Sequence, residues 1–584
     1  MLFGAPLLLA SSSACRAPAA ATSPPPVPAA AGSPAPASTR DAGDGPPRLV
    51  IRLALRLEGR PALVIDLRGR GLHAQRWVIP ALASAALAEL VVRDDEGELA
   101  AAVEREGARA RVSLARRPSG ELHLRYALTP EQGLAAPEIP PGLGLRLDPT
   151  RALAVAEEVL LLPEDDPPAK LAVELAWEPA PPHLLRLAST LGVEPGRHEV
   201  DLDALRHAAF LAGPLGTAIF RDPAGDDDFA WSGETSFDLR WSAAEIAGTR
   251  SAVDLYFGAA STRRFTTLLA VDVDYPGDGV GALVFPREGG LYVAISPGAE
   301  WDARARLAVA EGLVHRWIGG RLRLDPGVDG PPEAGAWFDV GFRRAIAREV
   351  LVDLGTLGAD DLLDEVHGLV GELLTSPLRD KSNHQVAALA AAGDSDAMPL
   401  LAARGALYAS RVDALLRGRG GLRGLVRGVI ADAQERRAAT LPQADLIDRI
   451  RRTISHDETR TLAAAVLGGR PLPLPADLLG PCFIATSRTY TRFELGFDAA
   501  RSEAATPPAI VGLDPRGPAA RAGLAEGEPL HSIVADRSDP ALLAEVTVER
   551  GGAPLTVSFR PRGATVRGQG WRRSPRADPK RCPP

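Results

Sequence analysis

The spacing of apolar residues changes along this chain, and that change limits the folds it can adopt. Between Arg48 and Arg240 apolar residues stand in short runs, such as Leu49–Leu55 and Leu122–Ala127, that are separated by Gly, Pro and Asp. Runs of this kind are typical of β-strands joined by turns. From Trp301 onward apolar residues recur instead every three or four positions, which is the period of an amphipathic helix. The pattern therefore predicts an α+β protein.

Proline-rich and alanine-rich stretches divide the chain further. At 584 residues it exceeds what one hydrophobic core usually holds, so several domains are expected. The Pro-rich segment Gly469–Pro475 ends the helical part, and more short β-like runs follow it. The predicted segments are a leader at 1–15, a disordered Ala/Pro linker at 16–47, an N-terminal antiparallel β domain at 48–240, a mostly helical middle domain with a β-rich opening at 241–475, a C-terminal β module at 480–562 and a basic tail at 563–584.

Composition and charge exclude several classes of protein. No stretch reaches the ~18 consecutive apolar residues that a membrane-spanning helix needs, which excludes a channel or a transporter. The formal net charge of −8 opposes binding to a phosphate backbone. The arginines between Arg417 and Arg427 are interpreted as a solvated loop and helix face. We therefore expect no nucleic-acid partner.

The start of the chain carries a signal of its own. An apolar run that includes Leu7–Leu9 is followed by the small residues Ser12–Ala14 and then by Cys15. This resembles a bacterial lipoprotein signal, which implies cleavage before Cys15, lipidation of its thiol and a disordered tether after it. The protein would then be a membrane-anchored lipoprotein of the bacterial cell envelope that faces the periplasm. The alternative is a soluble protein with a disordered Ala/Pro tail.

The segment Glu311–Trp317 has the layout of a zinc-binding helix without its side chains. In the H-E-x-x-H pattern two imidazoles at i and i+4 hold Zn²⁺, and the Glu at i+1 takes a proton from the metal-bound water. Here Glu311 stands at the first imidazole position, Gly312 at the base position and His315 at the second imidazole position. A lone His on an apolar helix is more often a core residue than a ligand, so this segment alone decides nothing.

The last β-rich segment resembles a PDZ domain. Arg516–Glu528 follows the G-(S/P)-A-A-x-x-A-G-L-x-x-G-D run of that family, and the segment that begins at Glu494 resembles its carboxylate-binding loop. The resemblance implies that backbone N–H groups of Leu495, Gly496 and Phe497 receive a peptide carboxylate while a sheet edge accepts the peptide strand. The closing strands would lie at 546–550 and 555–559, and a short helix at 539–545 would wall the groove. The alternative is a module that only packs against the middle domain.

The order of these parts points to one family. A β domain, a helical domain with this helix and a PDZ-like module together resemble the glycyl-aminopeptidase-like family of gluzincin metallopeptidases, over roughly nine tenths of the chain. The resemblance implies a gluzincin-like middle domain whose reactive positions are lost while the flanking Trp, Phe and Gly residues remain. The replaced positions are Val340 for the third zinc ligand in Trp337–Phe342, Val284 for the Glu that grips the substrate amino terminus in Gly281–Phe285, and Ala402 for the oxyanion Tyr in Ala402–Ala406.

These replacements predict a pseudopeptidase, with no catalytic residue and no metal cofactor. It would bind peptides or unfolded envelope proteins. The alternative is an active metallo-aminopeptidase in which Glu311, His315 and Asp339 hold zinc or a harder ion.

Two cysteines remain after Cys15. Cys482 and Cys582 bracket the PDZ-like segment, and an exported protein meets an oxidising compartment in which such a pair can bond. A disulfide between them is therefore possible, and the alternative is two free thiols near a mobile chain end.

Overall fold

Residues of the N-terminal strands alternate between core and surface, as a period of two predicts. In β1 (Arg48–Arg56), for example, Leu49, Ile51 and Leu53 are buried while the residues between them are partly exposed. The computed structural model describes residues 46–582 apart from 57–59, 83–84, 108, 131–143, 148–150, 179–185, 194–195, 223–224, 259–263, 272–281, 288, 328–329, 538 and 578–581. The other elements of this region are β2 (Ala62–Arg70), β3 (Arg76–Ile79), β4 (Ala85–Asp94), β5 (Gly97–Glu98), β6 (Ala101–Glu106), β7 (Arg109–Leu114), β8 (Glu121–Pro130), β9 (Arg146–Leu147), β10 (Ala152–Val155), α1 (Ala156–Val159), β11 (Leu162–Pro163), β12 (Leu171–Glu178), β13 (Arg186–Ser189), β14 (Arg197–Val200), α2 (Leu202–Arg206) and β15 (Ala209–Gly213).

These strands form three sheets that share a hydrophobic core. Their strand orders are β14-β12-β1-β2-β8-β4-β5, β11-β3-β7-β6 and β13-β15-β10-β9. The predicted N-terminal β sheets are thus present. The prediction of purely antiparallel pairing is wrong at one pair, because β1 and β12 run parallel, from Arg48 opposite Ala172 to Ala54 opposite Glu178. Parallel pairing requires a long connection, and the many strands between β1 and β12 provide it.

A five-stranded sheet opens the middle region. Its strands are β16 (Gly216–Asp222), β17 (Gly225–Ser232), β18 (Phe265–Val271), β19 (Ala282–Arg287) and β20 (Gly290–Ile295), in the order β16-β17-β18-β20-β19, and α3 (Leu239–Tyr256) connects β17 to β18. The predicted boundary at residue 240 therefore lies too late in the chain. Because β17 pairs in parallel with β18, the segment 216–232 belongs to this sheet and not to the β domain before it.

Helices follow the sheet, as predicted from Trp301 onward, and they share one large core with it. No helix among the described residues is both long and apolar enough to cross a membrane. The elements are α4 (Ala303–His315), β21 (Arg323–Asp325), a 3₁₀ helix (Pro332–Gly335), a π-helix (Trp337–Phe342), α5 (Arg343–Asp353), α6 (Ala359–Thr375), α7 (Asn383–Ala391), α8 (Ala397–Leu416), α9 (Gly421–Glu435), β22 (Thr440–Pro442), α10 (Gln443–Thr453), α11 (His456–Thr461) and a second π-helix (Leu462–Leu467).

The end of the chain forms a strand that the sequence did not predict. Strand β23 (Phe483–Phe493) pairs antiparallel with β27 (Arg562–Arg573), so residues 563–573 are not a tail. Trp571 explains why: its side chain is 2% exposed, and its indole N–H donates a hydrogen bond to the carbonyl oxygen of Ala476 at 2.9 Å. The basic side chains of β27, such as those of Arg567 and Arg572, are exposed, whereas the side chain of Trp571 is buried.

In the sequence, the residues between β23 and β27 form a small three-stranded sheet with its own apolar core. Its elements are α12 (Ala499–Ala504), α13 (Pro518–Arg521), β24 (Leu530–Val534), β25 (Ala544–Arg550) and β26 (Ala553–Phe559), in the order β24-β25-β26. The two closing strands expected at 546–550 and 555–559 lie within β25 and β26. The helix expected at 539–545 is wrong, because β25 already begins at Ala544 and the residues before it form only a turn.

A disulfide closes this part of the chain. Cys482 and Cys582 are bonded, with their Cα atoms 5.6 Å apart and 100 positions apart in sequence. Cys582 packs against the large core of the middle region. The bond therefore joins the residue before β23 to the segment that follows β27, at one end of this strand pair.

We predict that thiol counting on unreduced, unfolded protein finds no reactive thiol beyond that of Cys15. Replacing both cysteines by Ser should lower the free energy of unfolding by about 2–4 kcal/mol, since a long unfolded loop is no longer closed. A Cys15→Ser variant is the matched control and should unfold like the unchanged protein. Finding two further reactive thiols would show that the bond does not form.

Candidate functional site: helix α4 and the π-helix

Helix α4 places Glu311, Gly312 and His315 beside one another. The helix begins after Asp302, whose side chain accepts a hydrogen bond from the backbone N–H of Ala305 at 2.9 Å, and it ends at His315. Just beyond the helix, the indole N–H of Trp317 donates to the carboxylate of Asp254 at 3.2 Å, which fixes the exit of the chain. Gly312 is buried and offers no side chain at the position of a general base.

Glu311 belongs to an ion-pair chain. Its carboxylate lies 3.7 Å from the Nε of Arg344. Arg344 in turn donates two hydrogen bonds of 2.7 Å to the carboxylate of Glu365. Burial raises the pKa of Glu311, and the charges of Arg344 and Arg343 act against that rise. A carboxylate in this setting is held by guanidinium groups, as a paired buried charge must be.

His315 is also occupied. The Nη1 of Arg343 donates a hydrogen bond to the Nδ1 of His315 at 2.6 Å. Burial and the positive charges of Arg343 and Arg323 lower the pKa of His315 to about 4, so the ring is neutral at neutral pH. A neutral imidazole could bind a metal ion through a nitrogen lone pair. The lone pair of Nδ1, however, already accepts the hydrogen bond from Arg343.

The π-helix supplies the two residues next in the motif. One carboxylate oxygen of Asp339 accepts a hydrogen bond from the backbone N–H of Leu324 at 2.9 Å, and burial raises the pKa of Asp339 to about 6. Val340, at the position of the third zinc ligand, packs against an apolar cluster that includes Ala334 and Leu401. An aliphatic side chain cannot bind a metal ion.

Two glycines bring the π-helix against α8. A Cβ on Gly341 would lie 2.5 Å from the Cα of Gly405, and a Cβ on Gly405 would lie 1.7 Å from the carbonyl oxygen of Trp337. No side chain fits at either position. Ala402 lies about one turn before Gly405 on α8 and is 9% exposed. Because it is an alanine, it provides no hydroxyl group for an oxyanion.

The remaining motif position lies on an edge strand. Strand β19 is the last strand of the five-stranded sheet, and Val284 stands opposite Val293 of β20. The side chains of β19 are outside what the structure describes, so only the backbone position of Val284 is established. That position is the free edge of the sheet.

The test for zinc gives a negative answer. Within the described part of the chain, no three His, Cys, Asp or Glu side chains come together as a metal-binding group. The alternative ligands Glu311, His315 and Asp339 each have other partners, namely Arg344, Arg343 and the N–H of Leu324. The residues present therefore do not fit a zinc ion.

Sequence analysis missed Arg343. It follows the π-helix directly, and its partner His315 is 28 positions earlier. The only signal was a basic residue beside the glycine–phenylalanine pair, in a chain with many arginines. Nothing in the local pattern indicates that this guanidinium points back to α4.

The loop at 495–497 turns at a glycine in the left-handed region of the backbone. Gly496 has a φ of +89°, and a Cβ there would lie 2.9 Å from Pro518. The carbonyl oxygens of Leu495 and Gly496 accept hydrogen bonds from the N–H groups of Ala519 and Asp514. Among the described residues, no acceptor is found for the N–H groups of Leu495, Gly496 and Phe497. Successive unpaired N–H groups of this kind can receive a carboxylate.

The fold is similar to that of solved aminopeptidases. An aminopeptidase N family protein from Idiomarina loihiensis superposes with a TM-score of 0.65 at 14% identity, over 89% of this chain and 98% of that chain. A variant of an M1 zinc metallopeptidase from Deinococcus radiodurans, bound to a Tyr-Ser-Ala substrate, superposes with a TM-score of 0.48 at 17% identity, over 74% and 95%. No family model and no curated protein matches the sequence.

This chain has the fold of the aminopeptidase N family protein. At 14% identity the likeness establishes the architecture and leaves the chemistry to the residues of the site. In this fold, α4 carries His315 and the π-helix carries Val340.

We predict that Gly405→Ala lowers the free energy of unfolding by about 3 kcal/mol or more, because the added methyl group overlaps the carbonyl of Trp337. Gly368→Ala is the matched control. It lies on the exposed face of α6 with open space around a Cβ, so it should stabilise the protein by up to about 1 kcal/mol. Chemical denaturation of the two variants measures the difference, and equal effects would contradict the close crossing.

Proposed function

We propose that this M1-like protein is a catalytically inactive gluzincin homologue of the bacterial cell envelope that binds peptides or unfolded envelope proteins through a PDZ-like module. The observation that carries the proposal is the occupation of the three zinc-chemistry positions by Glu311, Gly312 and Val340. Without the ligands no metal ion lowers the pKa of a bound water toward ~7, and without the base nothing takes its proton. The protein thus keeps the fold around these positions but has no reaction centre there.

The 495–497 loop supports the binding part of the proposal. No acceptor is found for its N–H groups among the described residues, and the neighbouring apolar side chains of Leu495 and Phe497 pack only partly into the core of the small sheet. A peptide that ends in an apolar residue with a free carboxylate combines both features. We therefore propose such C-terminal peptides as the ligands.

The decisive experiment uses one purified preparation of the full chain. Metal analysis should find well under one equivalent of zinc, and no chelator-sensitive aminopeptidase activity should be detected. Fluorescent peptides that end in an apolar residue should bind, and the same peptides with an amidated C-terminus should bind at least about tenfold more weakly, because a charged acceptor is lost.

The outcomes separate the alternatives. Stoichiometric zinc bound through His315, together with peptide turnover, would establish the active metallo-aminopeptidase and refute the proposal. No metal, no turnover and equal binding of carboxylate and amide peptides would leave the pseudopeptidase part and refute the proposed role of the loop.

The envelope location rests on Cys15, which lies outside the described residues. We propose that its lipidation anchors the protein to the membrane. The Cys15→Ser variant should move from the membrane fraction to the soluble fraction, whereas Cys482→Ser should not. Unchanged fractionation of the Cys15→Ser variant would contradict the anchor.

A further inference from the structure

Arg343 lies among the side chains that the alternative metal site would use. Its guanidinium donates to the Nδ1 of His315 at 2.6 Å, and the carboxylates of Glu311 and Asp339 are the negative groups that act on its charge. Its Nε is buried and has no hydrogen-bond acceptor among the described residues. The guanidinium therefore contacts one imidazole, and two carboxylates act on its charge from farther away.

A zinc ion also needs a lone pair of His315, and it cannot use the one to which Arg343 donates. Zinc binds an imidazole nitrogen at about 2.0–2.1 Å, whereas the Nη1 of Arg343 already lies 2.6 Å from that nitrogen. Arg343 is the first residue of α5 and directly follows the π-helix that carries Val340. A neutral ring that accepts at Nδ1 carries its own proton on Nε2, so while Arg343 donates to it neither nitrogen has a lone pair for zinc.

We propose that the guanidinium of Arg343 holds the lone pair of His315 that a metal ion would need and serves as a permanent internal cation. It ties the end of α4 to the residue that directly follows the π-helix, and these two helices carry the positions at which the family pattern places metal ligands. It also keeps divalent cations out. The inference concerns the metal position alone and holds whatever peptide the protein binds.

The test restores a minimal metal site with and without the arginine. A Glu311→His change places two imidazoles at i and i+4 on α4, which is the spacing that holds zinc on a helix. We compare zinc binding by calorimetry, with zinc salt alone, for Glu311→His and for Glu311→His/Arg343→Ala. The variant without the arginine should bind zinc about 100-fold more tightly, because both the blocking group and a repelling charge are gone.

A charge-matched control separates position from charge. Arg323 also lowers the pKa of His315, but its guanidinium donates to the carbonyl oxygen of Gly319. Glu311→His/Arg323→Ala should therefore bind zinc nearly as weakly as Glu311→His. Equal zinc affinity with and without Arg343, or equal gains from the two arginine changes, would overturn the proposal.

A measurement on the unchanged protein guards against variants that do not fold. If Arg343 donates to Nδ1, the His315 ring carries its own proton on Nε2, and nitrogen NMR of the histidine rings distinguishes the two tautomers. A ring of His315 with its proton on Nδ1 would refute the contact and the proposal with it. Arg343→Gln replaces Arg343→Ala where the smaller residue prevents folding. Failure of peptide binding would refute the proposed function and leave this inference intact.

Discussion

The close crossing of the π-helix and α8 is the constraint on which the cleft depends. Gly341 and Gly405 let the two backbones approach to a distance that excludes any side chain. The aromatic rings of Trp337, Phe342 and Tyr408 then pack around the crossing, with centroid distances of 5.8 Å and 6.4 Å from Trp337 to the other two. This packing uses backbone atoms and aromatic side chains.

The charges under the cleft are compensated within the protein. From Glu311 an alternating chain of charges runs through Arg344 and Glu365 to Arg348, whose guanidinium donates to the hydroxyl of Ser410 at 2.5 Å. A buried carboxylate without a partner would cost several kcal/mol. Arg344 and Arg348 pair these carboxylates within the protein.

Specific contacts hold the strand pair of β23 and β27 to the helical region. The Nε2 of His367 on α6 accepts a hydrogen bond from the backbone N–H of Trp571 at 3.0 Å, and burial together with Arg488 keeps the pKa of His367 low, at about 4. Gly568 allows the strand to approach α6, since a Cβ there would lie 2.3 Å from Leu374. The small sheet with the 495–497 loop is thus joined to a strand pair that packs against α6.

Local pattern was enough to predict the order of the parts. Alternating burial in β1 and the three- to four-residue spacing after Trp301 follow from the geometry of single elements, so the sheets and helices could be predicted from the sequence. The residues at the motif positions, such as Gly312 and Val340, can be read from the sequence alone, because a motif compares residue types at fixed spacing.

The tertiary structure alone decided what depends on distant pairing. The parallel partner of β1, the assignment of β16 and β17 to the middle sheet and the burial of Trp571 each join segments far apart in the chain. The same holds for Arg343, whose meeting with His315 depends on how two helices are placed. The sequence by itself determined which residue types stand at the motif positions. Only the packing of α4 against α5 decided that Arg343 meets His315, because a side chain's partner is set by three-dimensional proximity and not by its neighbours in sequence.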